Sequence, residues 1–219
     1  SSKVVIITTI CLIFGGGLLI FGVENYSFSP DMSAFDKFFH TLFQSVTSRT
    51  AGFNTLPIES MTAASAMIMI ILMWIGASPG STGGGIKTST FAVVFLALIN
   101  QIRGKEKIHI FKRQIPPENV HRAFLIVVSS ILVLGIGCTI LVWIEPDKQP
   151  LNLVFEAVSA IGTVGLSRNT SPYLGTGGKY LIILLMYIGR IGVLTFFLAF
   201  YKPGKELRYT LPQSPINVG

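Results

Sequence analysis

Twice along this 219-residue chain the same four elements follow one another: a long apolar run, a short helix-like run, a Thr-x-Gly stretch and further apolar sequence. The first copy reads Val4 to Phe21, Phe35 to Ser48, Thr50-Ala51-Gly52-Phe53, then Met61 to Ala77 and Thr88 to Ile99. The second reads Ala123 to Ile144, Leu151 to Gly162, Thr163-Val164-Gly165-Leu166, then Tyr180 to Phe200, broken only by Arg190. Thr50 and Thr163 lie 113 residues apart, and Val4 and Ala123 lie 119 apart. Four element types recurring at nearly one period mark an internal repeat, which divides the chain into residues 1–105 and 106–219.

Length separates the two kinds of run. Crossing a bilayer core of about 30 Å takes about 20 helical residues, which the long runs supply. Phe35–Ser48 reaches only about 21 Å by the same rise, with Phe35, Phe38, Phe39, Leu42, Phe43 and Val46 at helical spacing. It can enter a membrane and turn back, but it cannot cross. Composition agrees: 12% of residues are charged, about half the usual share of a soluble domain. The expected fold is therefore an all-α membrane protein of two consecutive helix–re-entrant pore loop–helix repeats.

The net charge of +7 does not point to nucleic acid, because the basic residues cluster between apolar segments. That arrangement encodes topology. Lys3, the central loop (Arg103, Lys105, Lys107, Lys112, Arg113, Arg122) and the tail (Lys202, Lys205, Arg208) face only Glu106, Glu118 and Glu206 in acidic charge. The other side carries Lys37, Arg49, Lys148, Arg168 and Lys179 with the acids Glu24, Asp31, Asp36, Glu59, Glu145, Asp147 and Glu156. The central loop and tail are thus expected in the cytoplasm and the short re-entrant segments outside, in a multi-pass cell-membrane protein.

Backbone that leaves a helix inside a membrane must be buried by protein or lined by water. Its carbonyls can replace the hydration shell of an alkali ion, and the C-terminus of the preceding helix turns its negative dipole end toward the cation. Glycine permits the positive φ that points successive carbonyls one way. Thr50, Ala51, Gly52 and Phe53, with Thr163, Val164, Gly165 and Leu166, fit this role; the plainer reading, an extracellular turn, does not account for two copies each set between a short helix and a span.

Residues Ser78 to Gly85 (Ser78, Pro79, Gly80, Ser81, Thr82, Gly83, Gly84, Gly85) interrupt what would otherwise be one helix from Met61 to Ile99. Proline removes a helical hydrogen bond and glycine disfavours helix. The break is either a packing kink or a movable element across the ion path. Gly80 to Thr88 imitates a phosphate-binding loop, but Ile86 spoils the spacing and no strand precedes it. Arg190, mid-span, needs a cavity or a partner. Asp36, Glu59 and Glu156 read as solvated charge near the outer mouths. Asn169-Thr170-Ser171 is formally a glycosylation sequon; Cys11 and Cys138 read as small hydrophobes; His40, His109 and His121 show no ligand spacing.

Thr163–Ser167 (TVGLS) resembles a potassium-channel filter without its aromatic, and Ser48–Asn54 resembles the third filter of the superfamily of bacterial potassium transporters that includes KtrB and TrkH. Gly76–Thr88 (GASPGSTGGGIKT) is similar to the intramembrane loop of its KtrB branch. The resemblance covers essentially the whole chain and implies repeats three and four of a four-repeat, pseudo-tetrameric channel. The two N-terminal pore repeats would lie outside this sequence, which begins at Ser1 like a truncated or processed end. It further implies a gate formed by the glycine loop, Lys87 and Arg190, with Arg190 projecting below the filter against the loop. It implies a homodimer on a cytosolic KtrA-like nucleotide-binding ring, potassium as the transported ion, and no enzyme activity or cofactor in this chain. Conduction of K+, with a possible Na+ dependence, is the expected function. The alternatives are a Trk-type subunit of the same superfamily and a secondary transporter with a discontinuous helix. The parallel run of the two repeats argues against the latter.

Overall fold

The computed structural model describes residues 2–24, 32–104, 108–110 and 113–200. Asp31, the central-loop residues Lys105, Glu106, Lys107 and Lys112, and the tail from Lys202 onward lie outside them. Among the described residues the regular elements are helices, apart from one pair of two-residue strands, His109–Ile110 against Arg113–Gln114.

The first copy consists of α1 (Ser2–Glu24), α2 (Ala34–Thr47), α3 (Ala63–Trp74) and α4 (Thr88–Ile102). The second consists of α5 (Pro117–Ile144), α6 (Pro150–Gly162), α7 (Thr176–Ile191) and α8 (Val193–Phe200). Both α1 and α5 are long and apolar enough to cross a membrane, whereas α2 and α6, at 14 and 13 residues, are not. Each short helix starts on a local signal. The Ser33 hydroxyl accepts from the Phe35 amide at the start of α2, and Pro150 opens α6, where its missing N–H costs nothing.

Small residues let the helices close up, as is usual where lipid supplies no hydrophobic drive. A Cβ added to Gly17 of α1 would stand 3.2 Å from the Leu42 Cα of α2, and one on Gly16 would stand 2.6 Å from Ser45 Oγ. The copies join through α3 and α6. Met69, Leu72 and Met73 of α3 share one core with Phe155 and Val158 of α6 and with Val164 and Leu166 beyond it. Trp74 Nε1 donates to Ser130 Oγ of α5 at 2.7 Å, which fixes the second copy's first span to the same helix.

One expectation needs correction. Tyr180 to Phe200 is not a single span interrupted only by Arg190. It begins at Thr176 and bends by 93° between α7 and α8, at Gly192, whose φ of 96° only glycine adopts without strain. Both copies therefore break their returning helix, the first over residues 75–87 and the second at one residue.

Candidate functional site

The two Thr-x-Gly stretches adopt the same backbone. Thr50 and Thr163 have φ of 71° and 53°, and Gly52 and Gly165 have φ of 79° and 89°. The residue between each pair keeps negative φ. Such an alternation is the backbone that allows successive carbonyls to turn toward one side. Holding a threonine in the left-handed region costs about 1–2 kcal/mol, a strain found chiefly at functional sites. Glycine freedom was legible in the sequence; strained threonine was not.

The strand amides fold back on the helix ends. Ala51 and Gly52 donate to the Thr47 carbonyl at 3.2 and 3.3 Å, while Thr163 donates to Ala160 at 3.1 Å and Val164 to Ser159 at 2.9 Å. The Thr47 hydroxyl closes the first turn by donating to the Phe53 carbonyl. The strands lie side by side: a Cβ added to Gly165 would be 3.9 Å from Gly52 Cα, and one on Gly52 would strike the Val164 carbonyl at 2.4 Å. Val164 and Leu166 are buried against the first copy, whereas Phe53 is 72% exposed.

The glycine loop docks directly against this pair. Its neck is a single parallel bridge between buried Ile75 and Ile86, with the Ile86 amide donating to the Trp74 carbonyl at 3.1 Å. Pro79 to Thr82 form an exposed tip, and Gly83 and Gly84 tuck under the strands. A Cβ on Gly83 would meet Thr50 Oγ1 at 2.9 Å, and one on Gly84 would meet Thr163 Cγ2 at 2.7 Å. The Gly84 amide donates to Thr163 Oγ1 at 2.6 Å and the Gly85 amide to the Ile161 carbonyl at 3.2 Å. Two cations hold the loop: Lys87 Nζ donates to the Gly83 and Ser81 carbonyls, and the Arg190 guanidinium donates to the Thr82 carbonyl. Every residue expected at the gate is thus gathered in one place. Arg190, however, is not buried. It is exposed and lines, with Thr163, Ser159 and Glu156, a cavity of about 410 Å³.

Glu156 also departs from expectation. It is only 4% exposed, on α6 behind the second strand, and its carboxylate accepts from Ser167 Oγ, Ser171 Oγ and the Arg168 amide. Arg168 donates onward to the carbonyls of Ile58, Glu59 and Met61 in the first copy, at 3.0, 3.1 and 3.2 Å. Burial draws the Arg168 pKa below its ordinary value, and Glu24 opposes that shift. Glu24 and Glu145, counted above only as outer acids, are the buried caps of the returning helices. Glu24 accepts from the Thr62 amide and hydroxyl and from Ser65 at the start of α3, and Glu145 accepts from the Gly175 amide at 2.7 Å at the start of α7. Each sets a carboxylate on the positive end of a helix dipole. His40, without ligand spacing, meets Thr55 Oγ1 through Nδ1 at 3.1 Å. Among the described residues no group of three or more His, Cys, Asp and Glu is arranged to hold a metal.

Comparison with known proteins agrees with this architecture. Residues 2–208 match the family model described as TrkH, cation transport protein. The Ktr system potassium uptake protein D of Bacillus subtilis (strain 168) is 36% identical over 100% of this chain and 48% of its own length. The Ktr system potassium uptake protein B of the same organism is 42% identical over 80% of the chain and 39% of its own length. The chain spans about half the length of the curated relatives it matches. The crystal structure of the potassium transporter TrkH from Vibrio parahaemolyticus superposes with a TM-score of 0.71 at 21% identity, over 91% of this chain and 43% of that one. That likeness speaks for the fold.

Proposed function

The chain belongs to the TrkH family of cation transport proteins, and from that premise we propose that it supplies half of a potassium-conducting, membrane-embedded pore. The observation that carries the proposal is the duplicated strand: Thr50–Phe53 and Thr163–Leu166 share one alternating backbone, lie against each other, and rest on a single glycine loop. Aligned carbonyls at the C-terminal ends of two short helices offer a dehydrated alkali cation both coordination and a negative dipole.

Two strands make two sides of a site. The first strand's Phe53 is exposed while the second strand's Leu166 is buried against its neighbour. This asymmetry supports a ring completed by further repeats outside this sequence. The glycine loop with Lys87 and Arg190 is the gate: docked under the threonines it closes the exit, and two cations beside the path repel K+. The chain itself binds no cofactor and catalyses no reaction, and conduction follows the electrochemical gradient, with Na+ dependence a property of the whole protein.

The relatives' names favour a Ktr-type protein over a Trk-type one. By that analogy the protein forms a homodimer on a KtrA-like cytosolic ring that binds the regulatory nucleotide. The pore loops face outward, and the Arg103–Arg113 loop and C-terminal tail face the cytoplasm. The test is potassium flux from vesicles carrying the reconstituted protein. Arg190→Ala and deletion of residues 81–85 should each raise flux; unchanged flux in both, with normal folding, would overturn the gate.

A further inference from the structure

The second strand leaves the filter in a different way from the first. The residue directly after it, Ser167, donates to buried Glu156, as does the Arg168 amide. The Arg168 side chain then divides its donors between the two copies: Nε to Asn152 Oδ1 of α6 at 2.9 Å, and its terminal nitrogens to the carbonyls of Ile58, Glu59 and Met61. Ile58 and Met61 belong to the same core as Val164 and Leu166. One guanidinium therefore spans the seam between the copies at the outer end of the filter. At the 113-residue offset the first copy has Thr55 and Phe43 in these places, and Thr55 meets His40. Among the described residues of that copy, no side chain at the matching place makes such a four-point brace.

We infer that Arg168, seated on Glu156, is a positioning residue that fixes the separation of the two filter strands and thereby the discrimination between K+ and Na+. The inference rests on the pore reading above and deepens it. Both accounts of filter selectivity, cavity size and the number of carbonyl dipoles in reach, make discrimination sensitive to where the strands stand. Only the planar five-donor fork of arginine reaches four acceptors at once; lysine supplies the charge without the fork.

The experiment compares the unmodified protein with Arg168→Gln, Arg168→Lys and Glu156→Gln in vesicles, reading the K+/Na+ permeability ratio alongside thermal unfolding. The ratio should fall by about tenfold in both Arg168 variants, the change equivalent to one charge-assisted hydrogen bond, while K+ still passes. Glu156→Gln should shift it in the same direction. A wild-type ratio in folded Arg168→Gln, even with lowered stability, would overturn the inference, and so would full recovery by lysine. If these variants fail to fold, Asn152→Ala, which removes one acceptor of the brace, decides by a smaller drop or by none. Absence of K+ flux in the unmodified protein would instead sink the pore reading itself.

Discussion

Replacing Gly84 with alanine should open the pore, and the structure gives the size of the effect. The added methyl would stand 2.7 Å from both the Ile161 carbonyl oxygen and Thr163 Cγ2, and 3.0 Å from Thr163 Oγ1, where ordinary contact begins at 3.4 Å. The Ile161 carbonyl has no room to retreat. It ends a buried helix, accepts the Gly85 amide, and is backed by Gly189, where even an added Cβ would fall 2.1 Å away. The loop must yield instead, which stretches the Gly84 hydrogen bond to Thr163. Overpacking costs about 1–3 kcal/mol and a hydrogen bond about 1 kcal/mol. A net bias of about 2 kcal/mol toward the undocked loop multiplies the open population about 30-fold. Potassium efflux from vesicles reads this directly. Gly80→Ala is the control: Gly80 has φ of 81° but nothing within 4 Å. Its strain of about 1–2 kcal/mol acts at the exposed tip in docked and undocked loop alike, so flux should not change. Flux at or below the wild-type level in folded Gly84→Ala, or an equal rise in Gly80→Ala, would refute the reasoning.

Further outcomes follow from packing and from the buried carboxylates. Gly16→Ala meets Ser45 and Leu72 within 3 Å whereas Gly15→Ala meets nothing, so thermal unfolding in detergent should show Gly16→Ala destabilised by about 1–3 kcal/mol and Gly15→Ala unchanged or slightly stabilised. Glu24→Ala should cost about 1–3 kcal/mol, since it strips partners from Thr62 and Ser65. Glu145→Ala, which frees only the Gly175 amide among its described partners, should cost about 1 kcal/mol.

Length and periodicity made the repeat legible. A 14-residue amphipathic run cannot cross a bilayer whatever surrounds it, and Pro79 with three consecutive glycines cannot stay helical, so α2, α6 and the break before α4 were readable from the chain. The bend at Gly192 was not, because one glycine among apolar residues is common in membrane helices and its φ is set by tertiary packing. The filter glycines announced themselves, whereas the strained Thr50 and Thr163 did not. Charge was the least readable property. Glu24, Glu145 and Glu156 lie in outer segments that look solvated, yet all three are buried on amides and hydroxyls supplied from up to 41 residues away. No local pattern encodes such partners.

The central claim is that these two strands select the ion, and the K+/Na+ permeability ratio of Gly52→Ala and Gly165→Ala tests it most directly. Both residues sit at positive φ, and a methyl on Gly52 would strike the Val164 carbonyl. In vesicles the unmodified protein should prefer K+, and each variant, still folded by thermal unfolding, should lose that preference. A wild-type ratio in both variants would contradict the account.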